Sequence, residues 1–335
     1  MEQQTIFECI PKNWSTQNLK SIRYIDLFCG IGGFRIAAEQ VFRKNKINSK
    51  CVFSCDIDKY VQKSYYANFG DQPAGDITEI AAPDIPDHDL LFAGFPCQPF
   101  SIIGMGKGFE DIRGTLFFDI ARILAVKKPK AFILENVKQL VGHRKGTTFK
   151  TIIQTLHNLG YYIDYRVLNA LDYGLPQKRE RVFIVGFYKQ MWFQWPSNFS
   201  KRTPLEEILE TDIDQKYYVS DRIRKKRHDM HKSQYYPSIW HENKAGNICS
   251  YPYSCALRAG ASYNYLLVNG ERRLTPREML RLQGFPDSFK IVVPDFQMRK
   301  QAGNAVPVNV VRAVLESFLP IILENHSTIR CKEIV

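Results

Sequence analysis

The chain has 335 residues, of which 44% are hydrophobic and 24% are charged, a composition that is typical of globular proteins and excludes a disordered chain. The net charge of +12 favours a polyanionic partner such as nucleic acid, although it is also compatible with mere solubility. No apolar run approaches the ~20 residues that cross a bilayer, and no signal peptide is visible. We therefore expect a cytoplasmic protein with no membrane partner. The eight cysteines form no CxxC pair, so we expect reduced thiols and no metal site.

Short apolar runs alternate with helical patterns along the first half of the chain. Strands are predicted at 23–28, 50–55, 89–93, 130–134, 162–168 and 181–187. Helices are predicted after the glycine turn at 30–33, and at 58–69, 275–282 and 308–323. Continuous apolar strands that alternate with helices indicate an α/β fold, with a parallel sheet covered on both faces.

Changes in composition divide the chain into five segments. The region after residue 188 has Trp and Tyr clusters, scattered Pro and Gly, and a basic run at 222–232, without a βαβ rhythm. The predicted segments are an N-terminal arm (1–21), a first domain (22–189), a smaller second domain (190–271), a segment that returns to the first domain (272–325) and a tail (326–335).

A glycine turn follows the first predicted strand, at Gly30, Gly32 and Gly33. Ligands of open α/β sheets bind beyond the carboxyl ends of the strands, where such glycines let the backbone approach a ligand. Asp56 ends the second strand and could accept from ribose hydroxyls, and Asp76 could accept from an adenine amino group. A glycine turn alone is as often a tight connection, and GxGxxG is absent, but the three features in order favour a nucleoside cofactor.

Cys97 follows a buried strand and is bracketed by Pro96 and Pro99, which exclude regular helix. A thiol on a stiff turn at the carboxyl end of a strand is a candidate nucleophile, whereas an isolated Cys is usually a small buried hydrophobe. The glycine-rich stretch 102–114 that follows has the composition of a mobile lid or of a plain surface loop.

Two further groups could carry chemistry. Glu135 ends an apolar strand, where burial would raise its pKa and let it donate a proton near neutrality; the alternative is a carboxylate at a helix N-terminus. Arg179 and Arg181 precede the strand at 181–187, and one of them could reach a substrate carbonyl or a phosphate. A solvated basic edge is the alternative.

Together these motifs resemble the bacterial DNA (cytosine-5) methyltransferases. The matching stretches, in the family's order, are DLFCGIGGF (26–34), GDIT (75–78), GFPCQPFS (94–101), ENV (135–137), QKRERVFIVGF (177–187), RRLTPREMLRLQGFPDSF (272–289) and GNAVPVNVV (303–311). The stretch 108–123 looks like the compact HhaI-type enzymes of type II restriction–modification systems. The resemblance implies a Rossmann-like S-adenosyl-L-methionine-dependent domain with a mixed, mostly parallel sheet, and a smaller target-recognition domain at 190–271.

The resemblance also implies a mechanism and its residues. Cys97 would add to C6 of a cytosine flipped out of duplex DNA, Glu135 would hold N3 in protonated form, and Arg181, with Arg179 nearby, would contact the base carbonyl or fix the loop. The implied contacts to S-adenosyl-L-methionine are Phe28, Gly30, Ile31, Gly33, Asp56, Ile57, Asp76, Ile77, Gly94, Pro96, Leu116, Asn304 and Ala305. Some relatives carry Glu-Trp where this chain has Asp56-Ile57.

The expected partner is duplex DNA with a short recognition sequence. The predicted DNA contacts are Ser101, Arg113, Arg222, Arg224, Lys225, Lys226, Asn247, Ser250 and Arg258. The basic run would neutralise phosphates, and Asn247, Ser250 and Arg258 are the candidates for reading bases. We expect a monomer that serves a restriction–modification system without a stable complex with its endonuclease. An RNA-directed enzyme of the same scaffold is the alternative, although the Cys-Phe-Thr tripeptide typical of the tRNA-directed branch is absent. A non-catalytic DNA-binding module is a second alternative.

Overall fold

The computed structural model describes residues 21–96, 116–190, 193–197 and 201–323. Cys97, Ser101, Arg113, the stretch 102–114 and all but residue 21 of the predicted arm therefore lie outside the described residues, as does the predicted tail.

The strands and helices follow the expected order. The strands are β1 (Ile22–Leu27), β2 (Ser49–Cys55), β3 (Leu90–Gly94), β4 (Ala131–Val137), β5 (Tyr162–Asn169), β6 (Gln177–Lys178), β7 (Glu180–Phe187), β8 (Ile239–Glu242), β9 (Ile248–Tyr251), β10 (Ser254–Cys255) and β11 (Leu266–Val268). The helices are α1 (Gly33–Lys44), α2 (Lys59–Phe69), α3 (Leu116–Lys127), α4 (Gln139–Gly142), α5 (Thr147–Asn158), α6 (Leu205–Ile208), α7 (Asp221–Met230), α8 (Pro276–Leu282), α9 (Asp295–Asn304) and α10 (Val308–Leu323).

A six-stranded sheet in the order β2-β1-β3-β4-β7-β5 forms the centre of the molecule. All its neighbouring strands are parallel except at β7, which pairs antiparallel with both β4 and β5. The predicted α/β class with a mixed, mostly parallel sheet is confirmed. Because the carboxyl ends of β1 to β4 meet at one edge, the polar groups that follow them are brought together there.

Helices cover both faces of the sheet. Alternate side chains of β1 enter different cores: Tyr24 joins the core under α1 and α10, whereas Ile25 and Leu27 join the core under α3 and α5. This is the two-residue period of a strand that is buried on both faces. Helix α10 comes from the end of the chain, yet it packs on α1 and completes the first core.

A three-stranded antiparallel sheet, β11-β8-β9, lies in the region 190–271. A third core joins Ile239 and Leu266 of this sheet to Met279 and Leu282 of α8. Strand β10 of this region also pairs with β6, which lies in the part of the chain before residue 190. The exact domain limits stay a prediction.

Several predicted bounds need correction. The first strand ends at Leu27, because Phe28 has a positive φ of 52° and cannot continue it. The fourth strand runs on to Val137 instead of ending at residue 134, because β7 pairs opposite it as far as Arg181. Thr275 caps helix α8 through a capping box with Glu278 and is not its first residue. The helix predicted at 308–323 is confirmed.

By length and composition alone, one helical stretch among the described residues, Asp295–Leu323, could cross a membrane. However, 56% of its most apolar 18-residue window is buried inside the protein. It includes α10, which packs on α1, so it has the burial of a core helix.

Candidate active site

The glycines of the turn after β1 have two different environments. A Cβ atom on Gly30 would meet no heavy atom within 4 Å, and Gly30 has a φ of 52°. A Cβ on Gly32 would lie 2.3 Å from the Phe69 ring, and one on Gly33 would lie 2.6 Å from a methyl group of Val306. Gly32 and Gly33 therefore permit close packing, whereas Gly30 borders open space in which a ligand can lie.

Asp56 ties the end of β2 to this turn. Its Oδ2 accepts the Gly30 N–H at 3.0 Å, and its Oδ1 accepts the Asp58 N–H at 2.9 Å. Burial raises the pKa of the Asp56 carboxyl, although these backbone N–H groups oppose the shift. Each carboxylate oxygen has a second lone pair, so Asp56 can still accept from a ligand hydroxyl.

The next predicted cofactor residues differ in what they expose. Asp76 is half-buried, and its Oδ1 accepts from the Thr78 N–H at 2.9 Å and from the Thr78 hydroxyl at 2.8 Å. The Ile57 side chain is 70% exposed, so it offers an aliphatic surface next to Asp56. By contrast, the Ile31 and Ile77 side chains are buried in the two cores. The Ile31 and Ile77 side chains therefore offer little exposed surface to a ligand, and their predicted contact with the cofactor stays a prediction.

The remaining predicted cofactor residues include groups close to the sheet edge. A Cβ on Gly94 would lie 3.5 Å from Val306 and 3.6 Å from Glu135 Oε2, so Gly94 adjoins the predicted catalytic acid. Ala305 is buried, whereas Asn304 is exposed at the end of α9. Phe28, with its positive φ, and Leu116 are half-buried, and Pro96 is exposed.

Glu135 and Arg181 form a buried ion pair at the carboxyl end of β4. Arg181 Nε lies 3.0 Å from Glu135 Oε1, and their side chains are only 14% and 8% exposed. Because β7 runs antiparallel to β4, Arg181 pairs with Val137, two residues beyond Glu135, so the two side chains are diagonal neighbours. Burial raises the pKa of the Glu135 carboxyl, and the positive charges of Arg181 and Arg179 oppose that shift.

Asn136, next to Glu135, holds the chain that leaves β3. Its Nδ2 donates to the Phe95 carbonyl at 2.9 Å, and its own Oδ1 accepts the Val137 N–H at 2.8 Å. Both halves of the buried amide are thus satisfied within the sheet edge. The contact fixes Phe95, two residues before Cys97, which itself lies outside the described residues.

The side chain of Arg179 has a different environment from that of Arg181. It is 1% exposed and donates to the carbonyls of Leu257 at 3.0 Å, Gly303 at 3.0 Å and Ala305 at 2.8 Å. Its Nε has no partner in the structure. Because its donors are engaged with these carbonyls, the contacts favour the expected loop-fixing role over contact with a base.

Asp26 is a buried carboxyl that the sequence reasoning missed. It is fully buried near the end of β1, and neither of its oxygens has a hydrogen-bond partner. Burial raises the pKa of the Asp26 carboxyl well above its usual range, Asp56 raises it further, and Arg35 opposes the shift. The signal in the sequence was an acidic residue between two apolar residues near the end of a buried strand, because burying a carboxyl is costly unless the group has a use.

The predicted phosphate contacts lie together on the exposed face of α7. Arg222, Arg224, Lys225 and Lys226 are all exposed, whereas Arg227 turns inward to Glu242 and the Asn264 carbonyl. Helix α7 and the residue that follows it contact the three-stranded sheet through His228 and His231, whose rings lie on Trp240.

The predicted base-reading residues are less uniform. Asn247 is exposed in the turn between β8 and β9. Ser250 on β9 is half-buried, and its hydroxyl already hydrogen-bonds His231 Nε2 at 2.8 Å. Arg258 is exposed, with its guanidinium 4.8 Å from the centroid of the Tyr265 ring.

These features suit a nucleoside cofactor. The open space at Gly30, the free lone pairs of Asp56 and the exposed Ile57 surface lie at one edge of the sheet. Among the residues that the structure describes, no group of three or more His, Cys, Asp or Glu side chains could hold a metal ion.

The comparisons with known proteins agree with this geometry. The family described as C-5 cytosine-specific DNA methylase matches residues 22–319. The type II methyltransferase M.HaeII of Haemophilus aegyptius is 55% identical over 304 residues, covering 90% of this chain and 94% of that protein. M.HhaI of Haemophilus parahaemolyticus is 40% identical over 318 residues, covering 89% of this chain and 94% of that protein, so the predicted HhaI-type resemblance is confirmed.

The solved structure of the Entamoeba histolytica methyltransferase EhMeth has a similar fold. It superposes with a TM-score of 0.71 at 19% identity, over 91% of this chain and all of that one. The buried Glu135–Arg181 pair, the open glycine turn and the family match over most of the described chain lead to one assignment. The chain belongs to the C-5 cytosine-specific DNA methylases and is a DNA (cytosine-5)-methyltransferase related to the enzymes of type II restriction–modification systems.

Proposed function

We propose that the chain methylates C5 of one cytosine within a short duplex DNA sequence, with S-adenosyl-L-methionine as methyl donor and the target base flipped out of the helix. The observation that carries the proposal is the buried Glu135–Arg181 pair beside Gly94, three residues before Cys97. In the cell, this activity protects host DNA from a cognate restriction endonuclease. The enzyme acts as a monomer in the bacterial cytoplasm, associated with the nucleoid, and forms no stable complex with the endonuclease.

The base must leave the duplex before its C6 and C5 atoms can be reached, and extrusion costs a few kcal/mol. Arg181 then donates to the base carbonyl while its Nε stays on Glu135. When Arg181 holds the base carbonyl, the N3 atom of the cytosine faces the Glu135 carboxyl. The raised pKa of Glu135 favours uptake of the proton that it would donate to N3, so the pair can both orient the ring and protonate it.

The covalent step uses Cys97. Its thiolate forms a bond to C6 as the Glu135 proton passes to N3, which turns the ring into an enamine with a nucleophilic C5. After C5 is methylated, a base removes the C5 proton, the C6–sulfur bond breaks, the thiolate leaves and the N3 proton returns to the Glu135 carboxylate. Asn136 serves this step indirectly, because it anchors the Phe95 carbonyl at the start of the turn that carries Cys97.

The sheet edge at Gly30 holds the cofactor. S-adenosyl-L-methionine, when bound, supplies an electrophilic sulfonium methyl group. Asp56 receives the ribose hydroxyls, Ile57 covers one side of the adenine and Asp76 accepts from its amino group. Residues 303–305 return from α9 and close the pocket.

Residues 190–271 form the target-recognition domain. The exposed cations of α7 neutralise phosphates, which makes binding depend on salt. Arg258 is the strongest candidate for base reading, because its guanidinium is exposed and its hydrogen bonds within the described part of the chain are made by its backbone, with the N–H donating to Tyr265 Oη at 3.0 Å. Such a guanidinium can donate two hydrogen bonds to a guanine edge.

The proposal is tested by bisulfite sequencing of DNA from cells that express the full chain. We expect 5-methylcytosine at one short motif, and none in cells that express Cys97→Ser. The expected control is Cys249→Ser, which removes a half-buried thiol of β9 and leaves the methylation pattern unchanged. Absence of any methylated motif in DNA, or methylation of tRNA instead, would refute the proposal.

A further inference from the structure

A buried glutamine on β6, Gln177, connects two distant segments. Gln177 is 0% exposed, and its Oε1 accepts the Leu257 N–H at 3.0 Å. Its Nε2 donates to the Leu282 carbonyl at 2.8 Å and lies 3.3 Å from Gln283 Oε1. The amide thus joins the end of α8 to the backbone just before Arg258, the residue proposed to read a base.

Gln283 extends this connection to the cofactor side. It is also 0% exposed, and its Nε2 donates to the Ala302 carbonyl at 2.6 Å. Its own backbone carbonyl accepts the Val308 N–H at 2.9 Å, at the start of α10. A chain of buried hydrogen bonds therefore runs from Leu257 through Gln177 and Gln283 to Ala302, next to the segment proposed to close the cofactor pocket.

Arg179 spans the same two segments by a parallel route. Its guanidinium donates to the carbonyls of Leu257, Gly303 and Ala305. The N–H of the same Leu257 donates to Gln177. At this point the two backbones touch, because a Cβ on Gly303 would lie 2.4 Å from the Ala259 nitrogen. Both polar groups of residue 257 are thus held by side chains of the strand segment that leads into Arg181.

We propose that Gln177 and Gln283 are positioning residues that set the place of the target-reading backbone relative to the Glu135–Arg181 pair. The inference rests on the proposed function, and it assigns a separate task to each amide. Gln177 positions the backbone before Arg258 through its hydrogen bond with Leu257. Gln283 positions the segment 303–305 through its hydrogen bond with Ala302. Neither touches the reacting atoms, since both are buried between backbone segments.

The test replaces each amide by a methionine, which preserves the approximate volume and removes the hydrogen bonds. In Gln177→Met, the buried Leu257 N–H and Leu282 carbonyl lose their partners, so the segment before Arg258 is no longer held in register. We expect kcat/KM for methyl transfer to unmethylated plasmid DNA to fall by about 10- to 100-fold. The Kd of S-adenosyl-L-methionine in the absence of DNA stays within about twofold, because the Gln283–Ala302 contact remains.

Gln283→Met is expected to do the reverse. It frees the Ala302 carbonyl and raises the Kd of the cofactor by about tenfold, as measured by calorimetry on the purified full chain. The matched control is Gln154→Met, because the Gln154 side chain is exposed on α5 and, among the described residues, hydrogen-bonds only Asn158. That control leaves both quantities unchanged.

A role in positioning also predicts a change of specificity that simple destabilisation would not produce. Plasmid DNA from cells that express each variant is sequenced after bisulfite treatment, with the motif defined by the wild-type chain. In Gln177→Met, methylation at sites that differ by one base pair rises by about tenfold relative to the motif itself. If this variant does not fold, Gln177→Asn, which keeps the amide and shortens the side chain by one methylene, gives a smaller loss of discrimination.

Two results would overturn the inference. One is wild-type rate and discrimination in Gln177→Met; the other is an equal loss of cofactor and DNA function in both variants together with a lowered Tm. Failure of the proposed function has a different signature, because the wild-type chain itself would then yield no methylated motif.

Discussion

The β4–β7 edge and helix α7 both concentrate charged side chains, yet they use them in opposite ways. At the edge, Glu135 and Arg181 are paired and nearly buried, and burial raises the pKa of the acid. On α7, Arg222, Arg224 and Lys225 are exposed to solvent. Desolvated charges interact strongly and hold a fixed geometry, whereas solvated ones act over a distance that salt shortens. Chemistry on a base requires the first kind, and attraction to a phosphate backbone requires the second.

The largest expected effect comes from removing the acid of the buried pair. Glu135→Gln keeps the shape of the side chain but has no proton to donate to cytosine N3. We expect kcat/KM to fall by about 10²- to 10⁴-fold. The measurement is transfer of labelled methyl groups to unmethylated plasmid DNA, with cofactor Kd as the control. A loss of less than tenfold would mean that Glu135 is not the proton donor.

Helix α7 carries the same contrast within a few residues, because Arg227 is buried whereas Arg224 is not. Arg227→Met leaves Glu242 and the Asn264 carbonyl without their donor, so we expect the free energy of unfolding to fall by about 1–3 kcal/mol. Arg224→Met changes it by less than about 0.5 kcal/mol. Urea denaturation of both variants measures the difference, and equal effects would contradict the assigned burial.

The pH dependence of kcat/KM tests the protonation of the Glu135–Arg181 pair. In the proposed mechanism the protonated form of Glu135 is the active one, and burial raises its pKa, so we expect activity below that pKa and a fall in activity as pH rises through it. Arg181 lowers the pKa of Glu135, so Arg181→Met moves the alkaline limb of kcat/KM to higher pH, whatever its effect on the maximum. A limb that moves to lower pH in this variant would show that another group controls it.

The smallest expected effects are those of single exposed cations. Lys225→Gln weakens DNA binding similarly for all sequences and reduces the slope of log K against log salt by about 1. The methylated motif stays the same. Binding of plasmid DNA at several salt concentrations measures the slope, and an unchanged slope would place Lys225 away from the phosphates.

Much of the fold follows from local patterns that were readable in the chain. The apolar runs predicted β3 and β4, and the helical period of the apolar residues predicted α10. These patterns are readable because the buried faces of strands and helices must be apolar. The reversed direction of β7 did not follow from any local pattern, because a buried strand has the same composition in either direction.

The sequence predicted those site residues whose role depends on their own type and on their neighbours in the sequence. A carboxyl in an apolar strand identified Glu135, and the same reasoning applied to Asp26 would have identified that residue as well. The residues alone could not distinguish Arg179 from Arg181, because both are arginines in one short basic motif, although the family resemblance put Arg181 first. In the structure Arg181 pairs with Glu135, whereas Arg179 donates to the carbonyls of residues 257, 303 and 305.

The order of the motifs, the βα alternation and the excess of positive charge are properties of the chain itself, and they sufficed to predict the fold class and the enzyme family. Tertiary structure alone decided which arginine pairs with Glu135 and which glycine borders open space. It also decided which buried amides join residue 257 to residue 302. The physical reason is that burial and hydrogen-bond pairing depend on segments that meet only after folding, such as those of Arg179 and Ala305, which are 126 residues apart. Residue type sets what a group can do, and its buried neighbours set what it does.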